Sequence, residues 1–146
     1  FMEKAKLFFE KYIEVRLQEE DEEGYAYEYE KAREFYMGDI NLDGVLDVVV
    51  LYTIEGVGQG NNWYRHILLI PNIDNEILDI NHAKVYGTLS GSGKFVGIRN
   101  GYAVFDMLNY ISDNIKGVLK EKNPSKYQRV GYGIRGGEMV IDKLNE

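Results

Sequence analysis

The chain contains no cysteine, which excludes a disulfide, a thiolate zinc site and a cysteine nucleophile. It also lacks any apolar stretch long enough to span a membrane, and its first residues lack the apolar run of a secretory signal. The absence of cysteine fits the cytoplasm and a disulfide-free exported protein equally well. We expect a cytoplasmic protein that starts at Met2, and the alternative is an exported chain whose signal has been removed.

Basic residues are scarce relative to acidic ones. The chain has 17 Lys and Arg against 24 Asp and Glu, so its formal net charge at pH 7 is -7. Binding to the phosphates of nucleic acid needs a positive surface. The composition therefore argues against nucleic acid as a partner and favours cations or a basic protein.

Candidate catalytic residues are also few. His66 and His82 are the only imidazoles. His66 falls in a predicted strand, where we expect a structural or half-exposed histidine rather than a base, and His82 lies in an alternating strand beside Asn81. No serine lies in the Gly-x-Ser-x-Gly pattern of a nucleophile elbow. We therefore expect a non-catalytic protein, with a hydrolase as the less favoured alternative.

What the sequence does contain is a loop of alternating oxygen ligands at residues 38–47. It reads Gly-Asp-Ile-Asn-Leu-Asp-Gly-Val-Leu-Asp, with Gly44 at the point where the chain must turn sharply. A Ca²⁺ ion takes six or more oxygens at about 2.3 to 2.6 Å, and this spacing supplies them from one short segment. A plain turn without metal is the alternative, because Asp, Asn and Gly are also the ordinary residues of tight turns. The predicted ligands are the side chains of Asp39, Asn41, Asp43 and Asp47 and the carbonyl oxygen of Val45.

This loop differs from an EF-hand loop. Position twelve, counted from Asp39, is Val50, which has no carboxylate, and the residues after Asp47 have the character of a strand rather than a helix. The segment resembles the Asp-x-Asn-x-Asp-Gly-x-x-Asp loop of FG-GAP repeats in β-propellers, where Ca²⁺ lies in a turn between two strands. The motif occurs once here, whereas a propeller needs many repeats.

A wider resemblance follows the loop. Residues 51–56 read Leu-Tyr-Thr-Ile-Glu-Gly and precede the glycines at 58 and 60 and the pair Asn61 and Asn62. This order of loop, strand, glycine-rich turn and next strand is similar to that of a group of small bacterial proteins, mostly uncharacterised and many of them exported. The resemblance implies a single-domain α+β protein without a known enzyme activity.

The length of 146 residues predicts a single domain over 1–146. Apolar residues at helical spacing predict an amphipathic helix over 2–20, and later segments have strand patterns between turn residues. We predict an α+β fold whose N-terminal amphipathic helix packs on a curved, mainly antiparallel sheet built from hairpins. Strands are expected from Tyr25, where a helix is the alternative, and over 33–37, 48–54, 63–70, 77–89, 95–99, 102–109, 126–134 and 138–144, with one or two helical turns over 115–122.

An acidic run and several aromatic residues form the predicted partner surface. An acidic surface steers association with a cationic partner, and exposed aromatic side chains are candidate hot spots. The best specific function is an inhibitor or immunity protein that neutralises a basic partner such as a bacterial toxin, and the alternative is an exported module stabilised by Ca²⁺. The predicted contact residues are Glu19, Glu20, Asp21, Glu22, Glu23, Tyr25, Tyr27 and Trp63.

Overall fold

The computed structural model describes residues 1–77, 84–86, 93–108 and 127–145, which form one α-helix, nine strands and two short 3-10 turns. The predicted helical turns over 115–122 lie outside the described residues, as does most of the predicted strand over 77–89. The helix is α1 (Met2–Glu20), and the strands are β1 (Tyr27–Glu28), β2 (Glu34–Gly38), β3 (Asp47–Glu55), β4 (Trp63–Ile70), β5 (Lys84–Tyr86), β6 (Lys94–Arg99), β7 (Tyr102–Leu108), β8 (Tyr127–Arg135) and β9 (Glu138–Lys143).

The strands form two antiparallel sheets. The first sheet has the order β1-β3-β4-β5, with β2 also paired to β3, and the second has the order β6-β7-β8-β9. The predicted α+β class and the antiparallel pairing are therefore confirmed. The expected single curved sheet is instead two sheets that are not strongly curled, because no described strand of β1–β5 pairs with one of β6–β9.

The first sheet is buried on both faces, so the domain has three layers. On one face, Phe9 and other apolar residues of α1 pack against alternate residues of β3 such as Val50. On the other face, Leu51 belongs to a core cluster with Phe105 of β7 and Tyr132 of β8 in the second sheet. Burial on both faces explains why the sequence of β3 is an unbroken apolar run rather than an alternating one.

Two hairpin predictions are confirmed by the pairing of the strands. Asn100 and Gly101 join β6 to β7, and both have positive φ values, 54° and 80°, as the tight turn requires. Arg135 and Glu138 pair at the end of the β8–β9 hairpin.

In the described part of the chain, no helix is both long enough and apolar enough to cross a membrane.

Candidate cation loop and aromatic groove

Residues 39–46 connect β2 to β3. The two strands are antiparallel, with Gly38 paired to Asp47. Asp39 and Asp47 therefore both lie where the loop joins the two strands. Leu42 and Gly44 have positive φ values of 63° and 83°, which turn the chain back on itself. Glycine adopts this conformation without a steric penalty, which explains its place at position 44.

Asp39 organises the loop backbone. Its Oδ1 accepts hydrogen bonds from the backbone N–H groups of Asn41 at 3.2 Å, Leu42 at 2.8 Å and Asp43 at 3.3 Å. Its Oδ2 accepts one from Gly44 at 2.8 Å. Partial burial acts to raise the pKa of Asp39, but these four donors outweigh it and lower the pKa below its usual value. The carboxylate of Asp39 is therefore held ionised and pointing into the loop.

Asp47 is the buried acid of the loop, with 0% of its surface exposed. Its Oδ2 accepts a hydrogen bond from the Ile40 N–H at 2.9 Å, and its Oδ1 accepts one from the Asn72 N–H at 2.7 Å. Burial raises its pKa to about 6, and repulsion from Asp43 and Asp39 adds to the rise, although the two hydrogen bonds oppose it. A cation bound beside Asp47 would favour its ionised form and so oppose this rise in pKa.

The three carboxylates of the loop converge. Asp39, Asp43 and Asp47 each offer a carboxylate oxygen, and these oxygens all lie within 4.8 Å of one another, so the group could hold a metal ion. Asn41 lies in the same loop, where its Oδ1 accepts a weak hydrogen bond from the Asp43 N–H at 3.4 Å. The role of the Val45 carbonyl oxygen as a ligand stays a prediction. An all-oxygen group of this kind suits a hard cation such as Ca²⁺ or Mg²⁺.

The loop also joins the two sheets, which the sequence did not indicate. The Ile40 carbonyl oxygen accepts hydrogen bonds from the Ile134 N–H at 2.8 Å and from Arg135 Nη1 at 3.0 Å, both on β8. Asn72 supports the loop from the first sheet, because its Nδ2 donates to the Leu46 carbonyl oxygen at 3.1 Å. Asn72 lies two residues after the end of β4, and the pairing of β4 with β3 brings it next to Asp47. A single sequence does not give that register, so sequence reasoning missed Asn72.

An aromatic groove lies at the opposite end of β3. Glu55, the last residue of β3, is paired with Tyr27 of β1 on one side and with Trp63 of β4 on the other. The Tyr27 hydroxyl donates a hydrogen bond to Glu55 Oε2 at 2.7 Å. The structure thus brings together the three aromatic residues of the predicted partner surface. The groove encloses about 310 Å³ and is lined by Tyr25, Tyr27, Glu55, Gly56, Gln59, Gly60, Asn61, Asn62 and Trp63.

The predicted acidic contact residues differ in their placement. Asp21 is buried, and its carboxylate accepts hydrogen bonds from the Glu23 N–H at 3.1 Å and the Gly58 N–H at 2.9 Å. It therefore supports the glycine-rich loop rather than forming an exposed contact. Glu19, Glu22 and Glu23 are exposed. The side chain of Glu20 lies outside the described part of the structure.

His66 has the structural environment that we expected of it. It is buried in β4, and its ring stacks on that of Tyr52 with centroids 5.1 Å apart. His82 lies outside the described residues.

No protein-family model, curated protein or solved structure matches the chain. The resemblance of the loop to FG-GAP repeats stays a prediction.

Proposed function

We propose that the chain is a non-catalytic binding protein whose loop at residues 39–47 holds a divalent cation, with Ca²⁺ as the preferred ion. The convergence of three carboxylates within 4.8 Å carries the proposal. Like charges brought this close repel one another, and a divalent cation offsets that repulsion. Ca²⁺ is preferred over Mg²⁺ because it accepts six to eight oxygens in flexible geometry, whereas Mg²⁺ demands a near-ideal octahedron and keeps several waters.

The proposed role of the ion is to stabilise the contact between the two sheets. The Asp47 carboxylate accepts a hydrogen bond from the Ile40 N–H, and the Ile40 carbonyl oxygen accepts hydrogen bonds from Ile134 and Arg135 on β8. An ion bound by the loop acids would hold Asp47 in place. It would thereby also restrain Ile40, which connects the loop to the second sheet. Since the ion would bind only the folded loop, it would stabilise the fold by mass action. In an exported protein, extracellular Ca²⁺ at millimolar concentration would suffice.

Calorimetric titration of the cation-free protein with Ca²⁺, and separately with Mg²⁺, tests this proposal. The informative variant is Asp43→Asn, because Asp43 is exposed and its side chain supports only the Val45 N–H within the loop. Glu14→Gln is the matched control, since it removes the same charge from an exposed position on α1. We expect Ca²⁺ to bind the wild-type protein and the control, and Asp43→Asn to lose most of the affinity. The absence of binding at millimolar Ca²⁺ would show that the loop is a plain turn.

The aromatic groove favours a second function, the inhibition of a basic partner. Tyr25, Tyr27 and Trp63 are exposed by 43%, 52% and 57% and meet in one groove of a protein with net charge -7. Exposed aromatic anchors on an acidic surface suit a cationic protein surface. This arrangement supports an immunity protein that neutralises a basic toxin. The test is a search of the neighbouring reading frames for a basic toxin, followed by co-expression of that toxin with this chain and survival as the readout. The absence of such a neighbour would contradict this second function.

The survival test uses one groove variant, Trp63→Ala, and two controls, Glu14→Gln and Asp43→Asn. Trp63→Ala should reduce protection, because it removes the largest aromatic side chain from the groove. Glu14→Gln should preserve protection. Asp43→Asn should also preserve protection if the loop and the groove work independently. Full protection by Trp63→Ala would show that the toxin binds elsewhere.

A further inference from the structure

We infer that the groove at the end of β3 binds the guanidinium group of an arginine side chain from a basic polypeptide, held between Tyr27 and Trp63 and against Glu55. This inference rests on the second proposed function, that the partner is basic. It adds the chemical group that is recognised and the residues that recognise it. Three independent features of the groove support it: the order of the side chains, their restraint, and the charge around them.

The first feature is the order of the side chains across three strands. Tyr27 and Trp63 are the direct partners of Glu55 in antiparallel pairings on its two sides. Directly paired residues of an antiparallel sheet project from the same face, with Cβ atoms about 4.5 to 5.5 Å apart. The carboxylate therefore lies in one row between two aromatic side chains. A flat cation that stacks on either ring can reach the carboxylate.

The second feature is that this row is restrained before a ligand arrives. The hydrogen bond from the Tyr27 hydroxyl to Glu55 Oε2 fixes the carboxylate, and Oε1 has no hydrogen bond or ion pair to a described residue. The Tyr27 ring also lies close to Gly56, where an added Cβ would stand 3.2 Å from its Cε1 atom. Gly56 has a φ of 76°, which a larger residue would adopt only with strain. Tyr27 and Glu55 are thus held in place before a ligand arrives.

The third feature is charge. Glu55 is the only charged residue among those that line the groove. The other polar groups of the lining side chains are neutral: two tyrosine hydroxyls, the indole N–H of Trp63 and the amides of Gln59, Asn61 and Asn62. Asp21 attaches the acidic turn that carries Glu22 and Glu23 to the glycine-rich loop of the groove, through its hydrogen bond to the Gly58 N–H. These exposed acids add to the negative potential and disfavour an anionic ligand.

Arginine fits these features better than lysine or a neutral group. Its guanidinium is planar, stacks on aromatic faces and donates in a fork that matches a carboxylate. The ammonium of lysine is a compact, strongly hydrated point charge and cannot stack in this way. A neutral sugar could stack on Trp63 and donate its hydroxyls to the amide oxygens and to Glu55, but it carries no charge to match the carboxylate. The requirement for a positive charge on the ligand therefore separates the two ligand classes.

The chain supplies its own reporter, because Trp63 is its only tryptophan. The experiment titrates the full chain with an acetylated and amidated tetra-arginine peptide and follows tryptophan fluorescence. Tetra-citrulline, which has nearly the same shape without the charge, is the control peptide, and a neutral trisaccharide is the competing ligand. We expect a saturable change with the arginine peptide alone. Glu55→Gln and Tyr27→Ala should each weaken binding about tenfold, while Glu14→Gln should leave it unchanged.

Each other result overturns the inference. Equal affinity of the arginine peptide for wild-type protein, Glu55→Gln and Tyr27→Ala would place its binding elsewhere on the acidic surface. An equal response to tetra-citrulline, or a response to the trisaccharide alone, would assign the groove to neutral ligands. No response to any ligand, from variants whose melting temperatures match the wild type, would show that the groove binds none of them.

The survival assay distinguishes a failure of this inference from a failure of the second proposed function. If co-expression protects cells but the peptide does not bind the groove, only the inference fails. If protection is absent as well, the proposal of a basic toxin partner fails with it.

Discussion

The two ends of β3 carry acids in opposite settings. At its start, Asp47 is fully buried and both carboxylate oxygens accept hydrogen bonds from backbone N–H groups. At its end, Glu55 is half-buried and its partner is the side chain of an exposed tyrosine. The first acid is part of the folding core, whereas the second lies on a surface that the fold merely supports. The same carboxylate chemistry therefore supports the fold at one end, and in our proposal it serves recognition at the other.

The distance between the two ends should make them independent. A nine-residue strand at about 3.3 Å per residue separates its first and last residues by roughly 26 Å. Substitutions this far apart, with no shared partners, usually have additive effects. The following variants test the contrast between the two ends, beginning with the largest expected effect.

Asp47→Ala should lower the free energy of unfolding by about 3 kcal/mol in the absence of added cation. The substitution leaves the buried N–H groups of Ile40 and Asn72 without an acceptor, and relief of repulsion with the other loop acids offsets only part of that cost. Urea denaturation at pH 7 measures the change. Glu55→Gln is the control at the other end and should change stability by less than about 0.5 kcal/mol. A loss below about 1 kcal/mol for Asp47→Ala would show that the two amides find other acceptors.

Asp43→Asn should weaken Ca²⁺ binding about 30-fold, or about 2 kcal/mol, while the stability of the cation-free protein stays nearly unchanged. The reason is that Asp43 is exposed and contributes a charge to the proposed ion rather than a buried hydrogen bond to the fold. Calorimetry and cation-free melting curves measure the two effects. A large loss of stability without Ca²⁺ would contradict the division between ligand and structural roles within the loop.

Trp63→Ala should weaken binding of a basic partner about tenfold, which is about 1.4 kcal/mol, with little effect on the melting temperature. The side chain is 57% exposed, so its removal leaves no buried cavity. Binding to the basic partner measured by calorimetry gives the affinity, and Ca²⁺ affinity should be unaltered. A coupled loss of Ca²⁺ binding would show that the ends of β3 are not independent.

The cation-free protein should lose about 2 kcal/mol of stability as the pH rises from about 4 to above 6. The folded-state pKa of Asp47, about 6, lies above its ordinary value of 3.8, so the folded protein holds a proton that the unfolded chain releases. The cost of ionising the buried Asp47 carboxyl is therefore absent below pH 3.8 and fully present above about pH 6. Asp39, whose pKa is lowered, has the opposite effect, and its contribution is lost only as the pH falls below its ordinary value.

Urea denaturation across this pH range, with Asp47→Asn as the comparison, measures the difference. The variant should lack the fall in stability, and saturating Ca²⁺ should remove the fall from the wild-type protein. An identical pH profile for the wild type and Asp47→Asn would contradict the assignment to this carboxyl.

The acidic run shows where prediction from sequence stops. Five consecutive acids at 19–23 have the same chemistry and the same local pattern, and all were predicted to contact a partner. Only Asp21 is buried among those whose side chains the structure describes, because it reaches the Gly58 N–H, which lies 37 residues further along the chain. A single sequence carries no signal for a contact of that separation.

Elements that depend on local order could be predicted from the amino-acid pattern. Hydrophobic spacing predicted α1 and the buried strand β3, and turn residues predicted the loop at 39–46 and the hairpin at Asn100 and Gly101, because these patterns reflect local backbone geometry and burial. Tertiary structure alone decided that the strands form two sheets, that Asp47 is sealed by Asn72, and that Ile40 joins the loop to β8. Each of these depends on which distant segments pair. Many pairings satisfy the same alternation of apolar residues, and only packing of the whole chain distinguishes them.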